Sequence, residues 1–89
     1  MNEAQANQLK DEQQLGNKAE NAYNSFIKKY AEDKRVILFE AFQDASVLEP
    51  DNLITIKLQL KAIEGLDIEI KSIIDTGKMA SKMLADATK

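Results

Sequence analysis

Helix-breaking residues are scarce in this sequence. Its 89 residues include one proline and three glycines, and these are the residues that most strongly mark turns between elements. No stretch keeps the apolar–polar alternation of a half-buried strand. The chain therefore has few places at which it can turn, and the sequence predicts an all-α protein of long helices, folded as one domain over residues 1–89.

The first predicted helix covers about residues 3–31. Its opening segment, residues 1–14, is polar around Leu9 and fits either a frayed helix start or an arm that orders on contact. Further along, apolar residues recur at helical spacing. This predicted stripe consists of Leu15, Ala19, Ala22, Tyr23, Phe26, Ile27 and Tyr30.

A segment dense in large apolar side chains comes next. A polar break at residues 32–34 precedes the run VILF at residues 36–39. Four consecutive apolar residues fit a buried strand as well as a helix, but no partner strand is evident elsewhere. We expect a short helix at about 34–47 that is apolar around most of its circumference and is covered on more than one side.

Pro50 marks the start of the last predicted helix, at about 51–86, because proline suits the first turn of a helix. The expected fold is thus a helical hairpin or three-helix arrangement, with two long antiparallel helices and the short apolar helix between them. Apolar residues of the last helix recur at steps of three and four, which is the spacing of a helix-packing seam. We call this set the seam: Leu53, Ile56, Leu60, Ile63, Leu66, Ile70, Ile74, Gly77 and Leu84.

A second apolar set on the same helix points away from the seam, and we call it the outer face. It is either a group of scattered exposed side chains or a second contact surface used in self-association. Its members are Ile54, Leu58, Ile68, Met79 and Met83. Between the two sets, Asp67 and Lys71 are four residues apart and predict a weak surface ion pair.

Gly77 and Lys78 raise the question of a phosphate-binding loop. Such a loop needs G-x-x-x-x-G-K-[ST] between a strand and a helix. Here Ser72 stands at the first glycine position and Met79 follows Lys78, while the helical spacing continues through Gly77. The motif therefore fails, and three roles stay open for Gly77: close approach of a neighbouring helix, a kink, or contact with a ligand.

The composition argues against catalysis. The chain contains no cysteine and no histidine, so it lacks thiolate and imidazole metal ligands and the commonest nucleophile and general base. Asp44, Glu49 and Asp51 do not have the spacing of a calcium-binding loop. We therefore expect no enzyme activity, no cofactor and no metal.

The charge and the hydropathy argue against a nucleic-acid or a membrane partner, which leaves a protein as the expected partner. A net charge of −3 is not that of a nucleic-acid binder, and the basic group Lys28, Lys29, Lys34 and Arg35 is interrupted by acids and fits a solvated helix end. No apolar run approaches the roughly 18 residues of a membrane span. We therefore expect neither a nucleic-acid nor a membrane partner.

Two stretches, LGNKAENAYNSFIKKY at 15–30 and LKAIEGLDIEIKSIIDTGKMASKML at 60–84, resemble small uncharacterised all-helical proteins encoded in tailed-bacteriophage genomes. The resemblance covers residues 15–84, and TGKMA near the C-terminus is its most specific element. It implies a phage origin, expression in the host bacterial cytoplasm, and incorporation into the virion. No active-site residues come with it.

Two functions follow as expectations. The seam spans more than 30 residues and the predicted stripe only about 16, so part of the seam would stay exposed in a monomer. This favours a non-enzymatic phage structural or assembly-associated protein that forms a homo-oligomer or binds another phage protein. The alternative is a small acidic inhibitor of a host enzyme or defence complex, since residues 36–89 hold nine acids and six bases.

Overall fold

Two long antiparallel helical arms make up the computed structural model, which describes residues 1–88. The second arm is one helix, and residues 45–49 connect it to the first. The first arm has three parts that follow one another without a break. The elements, in order, are α1 (Glu3–Ala22), a π-helical turn (Tyr23–Ile27), α2 (Lys28–Asp44) and α3 (Pro50–Ala87). The predicted all-α class and pair of long helices are confirmed.

The predicted three-helix arrangement is wrong. The sequence predicts a break at 32–34 and a separate apolar helix at 34–47, but the backbone stays helical from Glu3 to Asp44. The three residues at the predicted break are charged, and none is a glycine or proline that would end a helix. Lys29 Nζ lies 3.1 Å from Asp33 Oδ2, an ion pair one turn apart that supports the helix there.

The π-helical turn joins α1 to α2 within the first arm. A turn of this kind adds one residue to the helix and so changes which residues face inward after it. Buried and half-buried residues on the inner side of the first arm include Gly16, Ala19, Tyr23, Ile27, Ala31 and Leu38. Four members of the predicted stripe are instead exposed: Leu15, Ala22, Phe26 and Tyr30.

Both arms begin at recognisable start signals. At α1, Gln5 N donates a hydrogen bond to Asn2 Oδ1 at 2.7 Å and Asn2 N donates to Gln5 Oε1 at 3.2 Å, which is a capping box. Residues 3–14 therefore lie in α1. At α3, Pro50 occupies the first turn as predicted, and Asn52 Nδ2 donates to Glu49 Oε2 at 2.6 Å.

The hairpin is thin and elongated. Its extents are 63 × 21 × 14 Å and its radius of gyration is 18.9 Å, against about 12 Å for a compact domain of this length. The accessible surface of 6782 Å² exceeds the roughly 5,200 Å² of a compact monomer of this mass. Few apolar side chains are buried: Ala31, Leu38, Ile63, Ile74 and Ala80. Two helices alone therefore leave much apolar surface in contact with solvent.

Candidate interaction surfaces

The two arms cross closely where Gly16 of α1 meets Gly77 of α3. A Cβ atom at either glycine would lie 2.7 Å from the Cα of the other, which is far inside van der Waals contact. Because α3 continues without interruption through Gly77, close approach of a neighbouring helix is the role that the structure supports for this residue. The neighbouring helix belongs to the same chain.

Gly65 has no such neighbour. No atom outside its immediate helical surroundings lies within 4 Å of the position that a Cβ atom at Gly65 would take. This third glycine sits in the middle of α3, on an exposed part of the helix. Contacts within the hairpin therefore do not explain why a glycine stands at position 65.

Asp67 is the buried acidic residue that links the two arms. The Tyr23 hydroxyl donates a hydrogen bond to Asp67 Oδ1 at 2.9 Å, and Lys71 Nζ lies 2.8 Å from Asp67 Oδ2. Arg35 of α2 is further away, with a guanidinium nitrogen 3.9 Å from Oδ2. Lys71 Nζ also stands 5.7 Å from the centroid of the Tyr23 ring, within cation–π range. The predicted Asp67–Lys71 pair is thus part of a contact between the arms.

These contacts shift the protonation of the pair. The hydrogen bond from Lys71, and then that from Tyr23, hold the pKa of Asp67 below its ordinary value despite its burial. The same Asp67 carboxylate raises the pKa of Lys71. Both groups are therefore held in their charged forms. A carboxylate kept ionised by two donors is suited to holding two helices together and poorly suited to proton transfer.

Replacing Tyr23 by phenylalanine should lower the free energy of unfolding by about 1 kcal/mol, because the buried Asp67 loses one hydrogen bond. Arg35→Gln is the matched control. Its 3.9 Å separation from Asp67 is too long for a hydrogen bond, so its effect should stay within about 0.5 kcal/mol. Urea unfolding followed by circular dichroism measures both variants. Equal losses would contradict the role given to the Tyr23 hydroxyl.

Most seam residues face the first arm of their own chain. Ile63, Ile74 and Gly77 are buried, and another five are half-buried: Leu53, Ile56, Leu60, Ile70 and Leu84. Leu66 is exposed at 39%, and Asp67 takes the inward position at that level. The sequence predicts that part of the seam stays exposed in a monomer. The first arm continues to Asp44 and so reaches along α3 to the seam residues nearest the loop, which are half-buried.

The outer face of α3 is exposed along its length. Ile54, Leu58, Ile68 and Met79 each expose more than half of their surface. Met83 differs from the other members, because it lines a shallow groove with Met1 and with residues of α1 that include Leu9. The outer face proper is therefore a stripe of four apolar side chains that passes over Gly65.

A second exposed apolar group lies at the end of the hairpin that carries the connecting loop, and we call it the loop-end patch. It combines aromatic and aliphatic side chains from α2 and the loop. Its members are Val36, Ile37, Phe39, Phe42, Val47 and Leu48, all more than half exposed. The prediction that this segment is covered on more than one side is not met within one chain: Leu38 is buried, but the six side chains of the patch are exposed.

Neither a metal-binding cluster nor a membrane-spanning helix is found in the part of the chain that the structure describes. No group of three or more carboxylates among residues 1–88 is arranged to hold a metal ion. Asp44 and Glu49 line an open groove beside the loop without forming such a group. None of the described helices combines the length and the apolar character needed to cross a membrane.

The sequence did not identify two of the residues that make contacts between the arms. Gly16 was not predicted to matter, and Tyr23 was predicted as one member of an apolar stripe, not as a hydrogen-bond donor to Asp67. A signal for Gly16 exists: in a hairpin with its turn near residue 47, positions 16 and 77 lie at similar distances from the turn.

Comparisons with known proteins add no relative. No protein-family model matches the chain, and neither a curated protein nor a solved structure matches it significantly.

Proposed function

We propose that this chain is a non-enzymatic structural or assembly-associated protein of a bacteriophage, and that it acts through helix–helix contacts in a multimer. The phage assignment rests on the resemblance of residues 15–84. With it come the host bacterial cytoplasm and the virion as locations. The multimer rests on the physical properties of the surface.

The observation that carries the multimer is the number of large apolar side chains that the thin hairpin leaves exposed. The hairpin exposes about 1,500 Å² more surface than a compact chain of its mass, and the loop-end patch supplies six large apolar side chains to it. Monomeric proteins rarely expose contiguous apolar patches larger than a few hundred Å². A thin two-helix hairpin that associates with other helices buries this surface, as helical bundles do.

Wild-type protein should give a defined multimeric mass by light scattering after size-exclusion chromatography, across a wide range of concentrations. Phe39→Asp should lower that mass, because it puts a charge into the loop-end patch. Gln14→Asp is the matched control: it adds the same charge at an exposed position of α1, away from the loop-end patch. A wild-type monomer at every concentration would overturn the multimer.

The phage component needs its own test. Mass spectrometry of purified phage particles should detect this protein in a fixed ratio to a major structural protein. Finding a multimer that is absent both from particles and from assembly intermediates would remove the phage role and leave the helix–helix association standing.

A further inference from the structure

Gly65 lies on the outer face of α3 and has no explanation within the hairpin. Glycine inside a helix is destabilising relative to alanine. Gly16 and Gly77 offset that loss because each lets the opposite arm approach, whereas no atom of the other arm approaches Gly65. An exposed glycine in mid-helix is what a second helix needs in order to cross closely.

Apolar side chains flank Gly65 at helical spacing. Leu58 precedes it by two turns and Ile68 follows it by about one, so all three share one side of the helix. Ile54 extends the stripe toward the loop. Met79 extends it in the other direction and lines one shallow groove together with Ile68. A contact centred on Gly65 would thus have large apolar groups on both sides.

The charges around Gly65 determine the direction of a partner helix. Lys61 precedes the glycine by about one turn and Glu69 follows it by about one turn, so both lie on the side of the helix that carries Gly65. Both are exposed, and neither forms an ion pair within residues 1–88. A parallel copy of α3 would put lysines against lysines and carboxylates against carboxylates. An antiparallel copy crossing at Gly65 would put Lys61, about 6 Å to one side, opposite Glu69 of that copy.

We infer that two copies of this chain pair antiparallel through the outer faces of α3, with their two Gly65 residues at the crossing. The pairing is isologous, since each copy contributes the same surface. A standard interface takes about 800 Å² from each partner, and the hairpin as a whole exposes about 1,500 Å² more than a compact chain, a surplus to which the loop-end patch also contributes. This inference rests on the proposed function, because it names a partner in that multimer and a second contact surface beside the loop-end patch.

Ile68→Asp tests the surface. Ile68 exposes 69% of its surface, so the hairpin should keep its helical circular dichroism while Kd for pairing rises by about a hundredfold or more. Gln59→Asp is the control, since Gln59 is exposed on a different side of the same helix. Sedimentation equilibrium measures both. Unchanged pairing in Ile68→Asp would overturn the inference.

A charge exchange tests the register. Lys61→Glu should weaken pairing about tenfold by placing two carboxylates together, and Lys61→Glu combined with Glu69→Lys should restore it to within about threefold. Restoration requires that the two positions face each other across the interface. If the double variant is weaker than the single one, the register is wrong.

Disulfide trapping tests whether the two α3 helices run parallel or antiparallel. The chain contains no cysteine, so only the introduced cysteines can form disulfides. Leu58 and Ser72 are each seven residues from Gly65, so an antiparallel pair brings Leu58 of one copy opposite Ser72 of the other. Leu58→Cys and Ser72→Cys proteins should form a mixed disulfide when combined under mild oxidation. Disulfides in each variant alone and none between them would show a parallel pair and overturn the inference.

These tests separate the two proposals. If the wild type is multimeric but none of the outer-face variants changes its mass, the multimer stands and the pairing at Gly65 is wrong. If the wild type is a monomer at every concentration, both are wrong.

Discussion

Alanine at position 77 should lower the free energy of unfolding of the hairpin by up to about 2 kcal/mol, although alanine is the better helix former. The new Cβ would lie 2.7 Å from Gly16 Cα and 3.1 Å from the carbonyl oxygen of Glu12. Both are backbone atoms, so the arms themselves must move apart. Overpacking of this kind costs about 1–3 kcal/mol, and the gain in helix propensity of about 1 kcal/mol offsets only part of it.

Gly65→Ala is the matched control on the same helix. No neighbour within the hairpin obstructs a Cβ at Gly65, so in the dissociated chain the propensity gain should appear alone and raise the free energy of unfolding by about 0.5–1 kcal/mol. Urea unfolding should be followed at the lowest workable protein concentration, so that changes in association do not enter. If Gly77→Ala and Gly65→Ala stabilise the protein equally, the arms do not cross at Gly16 and Gly77.

The helices and their inward-facing residues were readable from the sequence because their signals are local. Pro50 marks the start of α3 through its own backbone geometry, and the three- and four-residue steps of the seam reflect the helix period. The prediction of a break at residues 32–34 was wrong because it treated a run of charged residues as the end of a helix. Charged residues end a helix only when a capping or breaking residue accompanies them, and this segment instead carries the Lys29–Asp33 pair.

The contacts between the arms were not readable in the same way, because they depend on how α1 and α3 are aligned. The alignment follows from the length of the loop and from the extra residue of the π-helical turn, and neither is evident in the helical pattern. Gly16 therefore had no assigned partner. Asp67 has the sequence context of an ordinary surface acid, and only its position against Tyr23 shows that it is buried.

Asp67→Asn should lower the free energy of unfolding by about 1–2 kcal/mol at neutral pH. A hydrogen bond to a charged group contributes about 1.5–3 kcal/mol, and the solvent exposure of Lys71 places this case toward the lower end. Asp33→Asn is the matched control. Its ion pair with Lys29 is exposed on both sides, so the loss should stay within about 0.5 kcal/mol.

The pH dependence of the stability difference between the wild type and Asp67→Asn tests whether the charge of Asp67 causes the stabilisation. Because the pKa of Asp67 is lower in the folded chain than its ordinary 3.8, its stabilisation is complete above that value and is lost as the pH falls through the folded pKa. The wild type and Asp67→Asn should therefore differ at neutral pH and converge in acid. Urea unfolding from neutral to acidic pH gives the difference directly. A difference that stays constant down to strongly acidic pH would contradict the ionised carboxylate as the link between the arms, and would leave the shape of the side chain as the cause.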